Sequence, residues 1–162
     1  MEFLIVSDSH RRFGAMQAAL DRQRRAPDGI LFLGDGLADT DRLALGHSQL
    51  FAVRGNCDLY WDPAIKTEEL LTFEGHRILI THGHLYGVKS GMGALIARAK
   101  KCGADVVLFG HTHEPTYTVI SADESAIGRP MHLFNPGSIG QDGSFGTLTL
   151  RGKDVLLSHG RV

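Results

Sequence analysis

Phe3-Leu4-Ile5-Val6-Ser7-Asp8-Ser9-His10 decides the fold. Its first four residues are an unbroken apolar run, as expected of a strand buried on both faces. The next four are polar and include a carboxylate and an imidazole. The same order returns four more times. Ile30-Leu31-Phe32-Leu33 leads to Gly34-Asp35, and Phe51-Ala52-Val53 leads through Arg54 to Gly55-Asn56. Ile78-Leu79-Ile80 leads to Thr81-His82-Gly83-His84, and Val106-Val107-Leu108-Phe109 leads to Gly110-His111-Thr112-His113. In α/β sheets, sites form beyond the carboxyl ends of strands. Five polar clusters so placed predict one convergent pocket.

The segments between these runs fill in the architecture. Phe13, Met16, Ala19 and Leu20 keep helical spacing within 12–25, flanked by solvated arginines and stopped by Pro27. A short helix is expected over 39–45. Leu70–Phe73 and Arg77–Ile80 flank Glu74-Gly75-His76 and predict a hairpin. Met92, Leu95, Ile96 and Ala99 mark a second amphipathic helix that ends at Gly103. After it the pattern changes. Strands are expected over Thr116–Ile120, Met131–Phe134, Phe145–Leu150 and Asp154–Ser158, with no helix among them. The whole predicts an α/β fold with two mixed β-sheets packed as a sandwich, flanked by α-helices. Residues 1–162 are expected to form a single domain, since no linker or repeat interrupts them.

Composition narrows the function. Hydrophobic residues make up 43% and charged residues 22%, which places the chain among globular proteins. The formal net charge of -1 supplies no basic field, so stable nucleic-acid binding is not expected. No apolar run approaches the roughly 20 residues of a membrane span. The N-terminal apolar run ends at Val6 and lacks a basic flank, so a signal peptide is not expected either. Cys57 and Cys102 form no spaced framework, which fits reduced thiols and a cytoplasmic location.

The residue types then specify the chemistry. Asp8 and His10 stand two apart, as do His111 and His113; on extended backbone each pair would face one way. Asp35 has two oxygens with which to bridge two ions, and Asn56 offers a neutral carbonyl. Mixed imidazole and carboxylate ligation suits manganese, iron, zinc, nickel or cobalt better than calcium. Two such ions carry about +4 against about -2 from two carboxylates, leaving about +2 to attract phosphate.

Asp8-x-His10, Gly34-Asp35, Gly55-Asn56, His82 and Gly110-His111-x-His113 together resemble the signature of the calcineurin-like metallophosphoesterases. Arg54-Gly-Asn-Cys-Asp58 and Asn135-Pro-Gly-Ser138 are similar to a compact bacterial and archaeal phosphodiesterase branch of that superfamily. The resemblance implies two divalent metals. One would be held by Asp8, His10, Asp35 and His113, the other by Asp35, Asn56, His82 and His111, with Asp35 as the bridge. It also implies a metal-bridging hydroxide as nucleophile, manganese as the working ion, a small phosphoester substrate and a homo-oligomer. Cys57 departs from the wider superfamily, where a histidine follows the asparagine. A thiol is a poorer proton donor than imidazole at neutral pH, which favours diesters over alkyl monoesters. The alternatives are a phosphomonoesterase, or a non-catalytic scaffold like the retromer subunit of the same fold.

His84 has two readings, a proton donor lining the substrate pocket or a support that orients His82. Cys57 is either a pocket residue or a small hydrophobe. Tyr60 and Trp61 would wall a pocket or pack in a core, and Arg11 would touch phosphate or lie solvated at a helix start. Asn135 and Asp58 are candidates to brace ligands through hydrogen bonds. His47, His76, His132 and His159 have no motif context and read as structural or exposed.

Overall fold

The computed structural model describes residues 1–58 and 64–162; Tyr60 and Trp61 lie outside the described residues. Among the described residues there are ten strands, β1 (Glu2–Val6), β2 (Gly29–Phe32), β3 (Gln49–Ala52), β4 (Glu68–Phe73), β5 (His76–Thr81), β6 (Val106–Leu108), β7 (Thr116–Ile120), β8 (Met131–Asn135), β9 (Ser144–Arg151) and β10 (Asp154–Arg161). They form two five-stranded sheets of order β10-β9-β1-β2-β3 and β4-β5-β6-β8-β7. The apolar runs make the parallel centres: β1-β2-β3 in one sheet, β5-β6-β8 in the other. Antiparallel strands complete each sheet.

Period-two alternation sorts the side chains. Phe3, Ile5, Leu31, Leu33, Ile78, Ile80, Val106 and Leu108 point between the sheets and form the central core. Leu4, Val6, Ile30 and Phe32 face outward and bury Met16, Ala19 and Leu20 of α1 (Phe13–Asp21). On the other outer face, Leu79, Val107 and Leu133 bury Leu95 and Ala99 of the long helix Gly93–Cys102. Burial on both faces explains why these strands read as continuous apolar runs. The expected sandwich with flanking helices is therefore the fold.

Some boundaries move, for identifiable reasons. Helix α1 stops at Asp21, well before Pro27, because no apolar residue between Leu20 and Ala26 could be buried by a further turn. The short helix α2 (Leu37–Thr40) begins directly after the Gly34-Asp35 turn, earlier than expected. Helix α3, the Gly93–Cys102 element, ends at Gly103, whose φ of 67° is left-handed. The hairpin turn is Glu74-Gly75 alone, with φ of 49° and 81°; His76 is already the first residue of β5. The expectation of no helix in the last third fails. Helices α4 (Ala122–Ser125) and α5 (Ile139–Asp142) are four residues each, capped by Ser121 and Ser138, which accept from the Glu124 and Gln141 amides. Among the described residues, no helix is long and apolar enough to cross a membrane.

Candidate metal centre

The polar cluster after β1 lies against those after β2, β5 and β6. Strand pairing fixes this: the Asp8 amide donates to the Gly34 carbonyl, and the Gly110 amide to the His82 carbonyl. The clusters themselves are not extended. Asp8, His10, Asp35, His111 and His113 have φ between 45° and 68°, which makes them five of the eight non-glycine residues with positive φ among the described residues. Each such conformation costs of order 1 kcal/mol or more, and persists only where its surroundings over-determine it. The premise of extended backbone is thus corrected, although Asp8 and His10 still face one group. His111 and His113 turn apart instead, into two different groups.

One group is Asp8, His10 and His113; the other is Asp35, His82 and His111. A third set, His10, Asp35 and Cys57, links them. His113 Nε2 lies 3.2 Å from Asp8 Oδ1, and His10 Nε2 and His82 Nε2 each lie 3.9 Å from it. His82 Nε2 lies 3.3 Å from Asp35 Oδ2 and 3.2 Å from His111 Nδ1. His10 and His113 bring their Nε2 atoms within 3.3 Å.

Tautomers follow from the outer contacts. His82 donates from Nδ1 to the Leu33 carbonyl at 2.8 Å, and His113 donates from Nδ1 to Gln141 Oε1 at 3.0 Å. In the neutral rings the Nε2 lone pairs therefore point inward, towards each other and towards carboxylate oxygens. Asp8 Oδ2 accepts from Ser7 Oγ at 2.6 Å and from the His111 amide at 3.2 Å. Asp8 Oδ1 is buried and has no hydrogen-bond partner among the described residues. A buried carboxylate oxygen without a donor, ringed by inward lone pairs, is a donor set that a cation satisfies.

The site is held open by small residues and remote acids. A Cβ at Gly55 would meet Asp35 Oδ1 at 2.0 Å, and one at Gly110 would meet Ser7 Oγ at 2.0 Å, so both positions admit glycine alone. Asp58 accepts four backbone N–H groups, from Asp35, Gly36, Leu37 and Gly55, at 2.7–2.9 Å. It pins the loop after β2 to the loop after β3. Asn135 Nδ2 donates to the Gly110 carbonyl and to Thr112 Oγ1, bracing the loop of His111 and His113. Ser138 Oγ donates to the Asp8 carbonyl at 2.9 Å. Buried Asp39 accepts from Ser9 Oγ at 2.6 Å and from the Arg11 amide at 3.0 Å.

Electrostatics separate the site's acid from its bases. Burial pushes the Asp35 carboxyl up, but hydrogen bonds from His82 and the Cys57 amide outweigh it, and Asp35 is held below the usual carboxylate range. Burial pushes His82 down, while Asp35 and Asp8 more than compensate, so its pKa is raised. The Asp35 contact and burial raise the Cys57 thiol, which stays protonated near neutral pH.

The six expected histidine and aspartate ligands all fall into these groups. Asn56 is exposed and donates from Nδ2 to Cys57 Sγ at 3.3 Å, a contact that does not involve the Oδ1 expected to serve as its ligand atom. His84 packs by its ring near His82 and His111, with centroids 5.4 and 6.1 Å away. The Leu33 carbonyl, rather than His84, accepts from His82 Nδ1. His84 Nδ1 is buried without a partner among the described residues, and burial together with His82 lowers the ring's pKa. Sequence reasoning missed Asp39, Gln141 and the helix that carries Gln141.

A family model described as the calcineurin-like phosphoesterase superfamily domain matches residues 1–153. The probable metallophosphoesterase YsnB of Bacillus subtilis (strain 168) is 39% identical over 139 residues, covering 86% of this chain and 75% of that protein. The phosphodiesterase YfcE of Escherichia coli (strain K12) is 30% identical over 183 aligned positions, covering 96% and 90%. The structure of Vps29 complexed with zinc from Entamoeba histolytica superposes with a TM-score of 0.76 at 21% identity, covering 100% and 98%.

Proposed function

Since the chain belongs to the calcineurin-like phosphoesterase superfamily, we propose that it is a binuclear metal-dependent phosphodiesterase acting on small or exposed phosphodiesters. The observation that carries this reading is the pair of ligand groups, Asp8-His10-His113 and Asp35-His82-His111, set around an unpartnered buried carboxylate oxygen. Asp35 reaches both groups through its neighbours His10 and His82, which suits a bridging carboxylate. Two divalent ions, with manganese the first choice, would supply Lewis acidity and an ionised water at neutral pH. Asn56 would complete the second site through its Oδ1, its Nδ2 being the atom that meets Cys57 Sγ.

The chain's own residues divide the remaining work. Leu33 and Gln141 fix the His82 and His113 tautomers, so both rings present lone pairs without reorganisation. His84, with a buried unpartnered nitrogen and a ring kept neutral by burial, is placed to contact a phosphoryl oxygen or leaving group. The protonated Cys57 thiol is a weaker acid than the imidazole that stands there in most monoesterases, which favours esters with good leaving groups. A scaffold would need no inward lone pairs at His82 and His113. The protein would work in the cytoplasm, without nucleic acid or membrane as partner.

The test is chelation followed by single-metal reconstitution with manganese, nickel, cobalt, iron or zinc, assayed on bis- and mono-p-nitrophenyl phosphate. The expected result is metal-dependent cleavage faster on the diester and abolished in His82→Ala. Faster monoester turnover would replace this reading with a monoesterase. Two bound ions with no turnover of either ester would leave the scaffold.

A further inference from the structure

A cavity of about 540 Å³ opens beside the ligand groups, lined by His10, Asp35 and Cys57 on the metal side and by Arg11, Asp39 and Asp58 beyond. Its charges are not equivalent. Asp58 has both oxygens committed to four backbone N–H groups, and Asp39 Oδ2 holds Ser9 Oγ and the Arg11 amide. Asp35 belongs to the ligand set. The Arg11 guanidinium, by contrast, has no hydrogen bond or ion pair among the described residues, although its backbone is fixed by Asp39 at a φ of 70°. An exposed arginine on an unconstrained helix start would be ordinary. Arg11 is instead held in a left-handed conformation directly after a ligand histidine, on the cavity wall, with a guanidinium that makes no ion pair among the described residues.

We infer that Arg11 binds a second phosphate of the substrate, so that the preferred diester carries an additional phosphoryl group on one of its two substituents. The inference rests on the phosphodiesterase reading and deepens it. Arginine suits this role because its planar fork donates two parallel hydrogen bonds to one phosphate. At about 540 Å³ the cavity is large enough to take a nucleoside-sized substituent.

The experiment uses the metal-loaded protein and two chromogenic diesters. Both are thymidine 5′-(p-nitrophenyl phosphate), one with a free 3′-hydroxyl and one with a 3′-phosphate. In each, water adds across the phosphorus–aryloxide bond and p-nitrophenolate leaves, so the only difference is the remote phosphate. The readout is the ratio of kcat/KM for the phosphorylated over the unphosphorylated ester. A charge-assisted contact predicts a ratio of about 10 or more, carried by KM. In Arg11→Gln the ratio should fall towards 1, and in Arg11→Lys it should be intermediate, because lysine keeps the charge and loses the fork. Turnover of both esters with a wild-type ratio near 1, or a ratio unchanged in Arg11→Gln, overturns this inference and leaves the diesterase reading intact. No metal-dependent turnover of either ester overturns both.

Discussion

Strands β5 and β6 each carry a histidine or aspartate at both ends, and the two ends behave oppositely. At one pole His76 opens β5 and Asp105 precedes β6; at the other His82 follows β5 and His111 follows β6. At the first pole every polar atom of the pair is answered. His76 Nδ1 lies 2.7 Å from Asp105 Oδ2 and its Nε2 2.9 Å from the Gly152 carbonyl, both within hydrogen-bond reach. Asp105 also accepts from the Arg77 amide and from Arg129 Nη1. At the second pole Asp8 Oδ1 has no donor and the imidazoles turn lone pairs towards it. The adjoining cavities are nearly equal, about 530 and 540 Å³. Cavity size therefore does not distinguish the poles; hydrogen-bond balance does. The same residue types make a closed structural pair when their donors and acceptors match, and a cation site when acceptors are in excess.

The largest expected effect breaks that contrast at the open pole. Asp35→Ala removes the proposed shared carboxylate, and metal-dependent diester cleavage should fall by about 10³-fold or more. Metal should also stabilise the wild type by about 4 kcal/mol at a thousandfold excess over Kd, a thermal shift of about 8–16 °C that Asp35→Ala should lose. Calorimetry with and without manganese checks both. A full thermal shift retained in the variant would remove Asp35 from the site.

The converse variant sharpens the closed pole. His76→Ala leaves a buried carboxylate short of a partner and should destabilise the protein by about 3 kcal/mol. The metal-induced thermal shift should persist, since nothing at that end contributes to the ligand groups. Loss of metal binding in this variant would show that the poles are coupled through β5 and β6.

Asp58→Asn is a smaller test of how the open pole is maintained. The substitution exchanges an acceptor oxygen for an amide donor that faces backbone N–H groups. Metal affinity should weaken by about 10–100-fold, as for other outer contacts that orient ligands. Isothermal titration with manganese reads this directly. An unchanged affinity would mean that the positive φ of Asp35 survives without Asp58.

Much of this was legible in the sequence, and the remainder was not for a physical reason. Strands buried on both faces write themselves as apolar runs, so β1, β2 and β6 and the ligands at their ends could be read directly. Asp39 and the fourfold acceptance by Asp58 could not, because a carboxylate that bonds backbone groups of a distant loop leaves no local pattern. The twist of Asp8, His10, His111 and His113 into positive φ was equally hidden, since extended backbone is the default after a strand. Helices α4 and α5 are a different case. Ser121-x-x-Glu124 and Ser138-x-x-Gln141 are capping signatures that lay in plain view among glycine-rich turns.

Those two caps set the finest comparison, because they place the same device at opposite poles. Helix α4 lies towards the closed pole, where Ser125 Oγ donates to the Arg129 carbonyl; α5 lies at the open one and carries Gln141 to His113. Ser121 accepts only within its own turn, from the Glu124 amide. Ser138 accepts from the Gln141 amide and also donates to the Asp8 carbonyl. Each Ser→Ala substitution removes one cap, a loss of about 1 kcal/mol. Ser121→Ala should end there, with metal affinity unchanged. Ser138→Ala should also loosen Asp8 and the Gln141 that fixes the His113 tautomer, so its metal affinity should drop several-fold beyond the shared stability loss. Paired thermal and calorimetric titrations of the two variants separate these outcomes. Equal behaviour would mean that α5 is only a turn in the chain, and that His113 finds its tautomer from the metal rather than from Gln141.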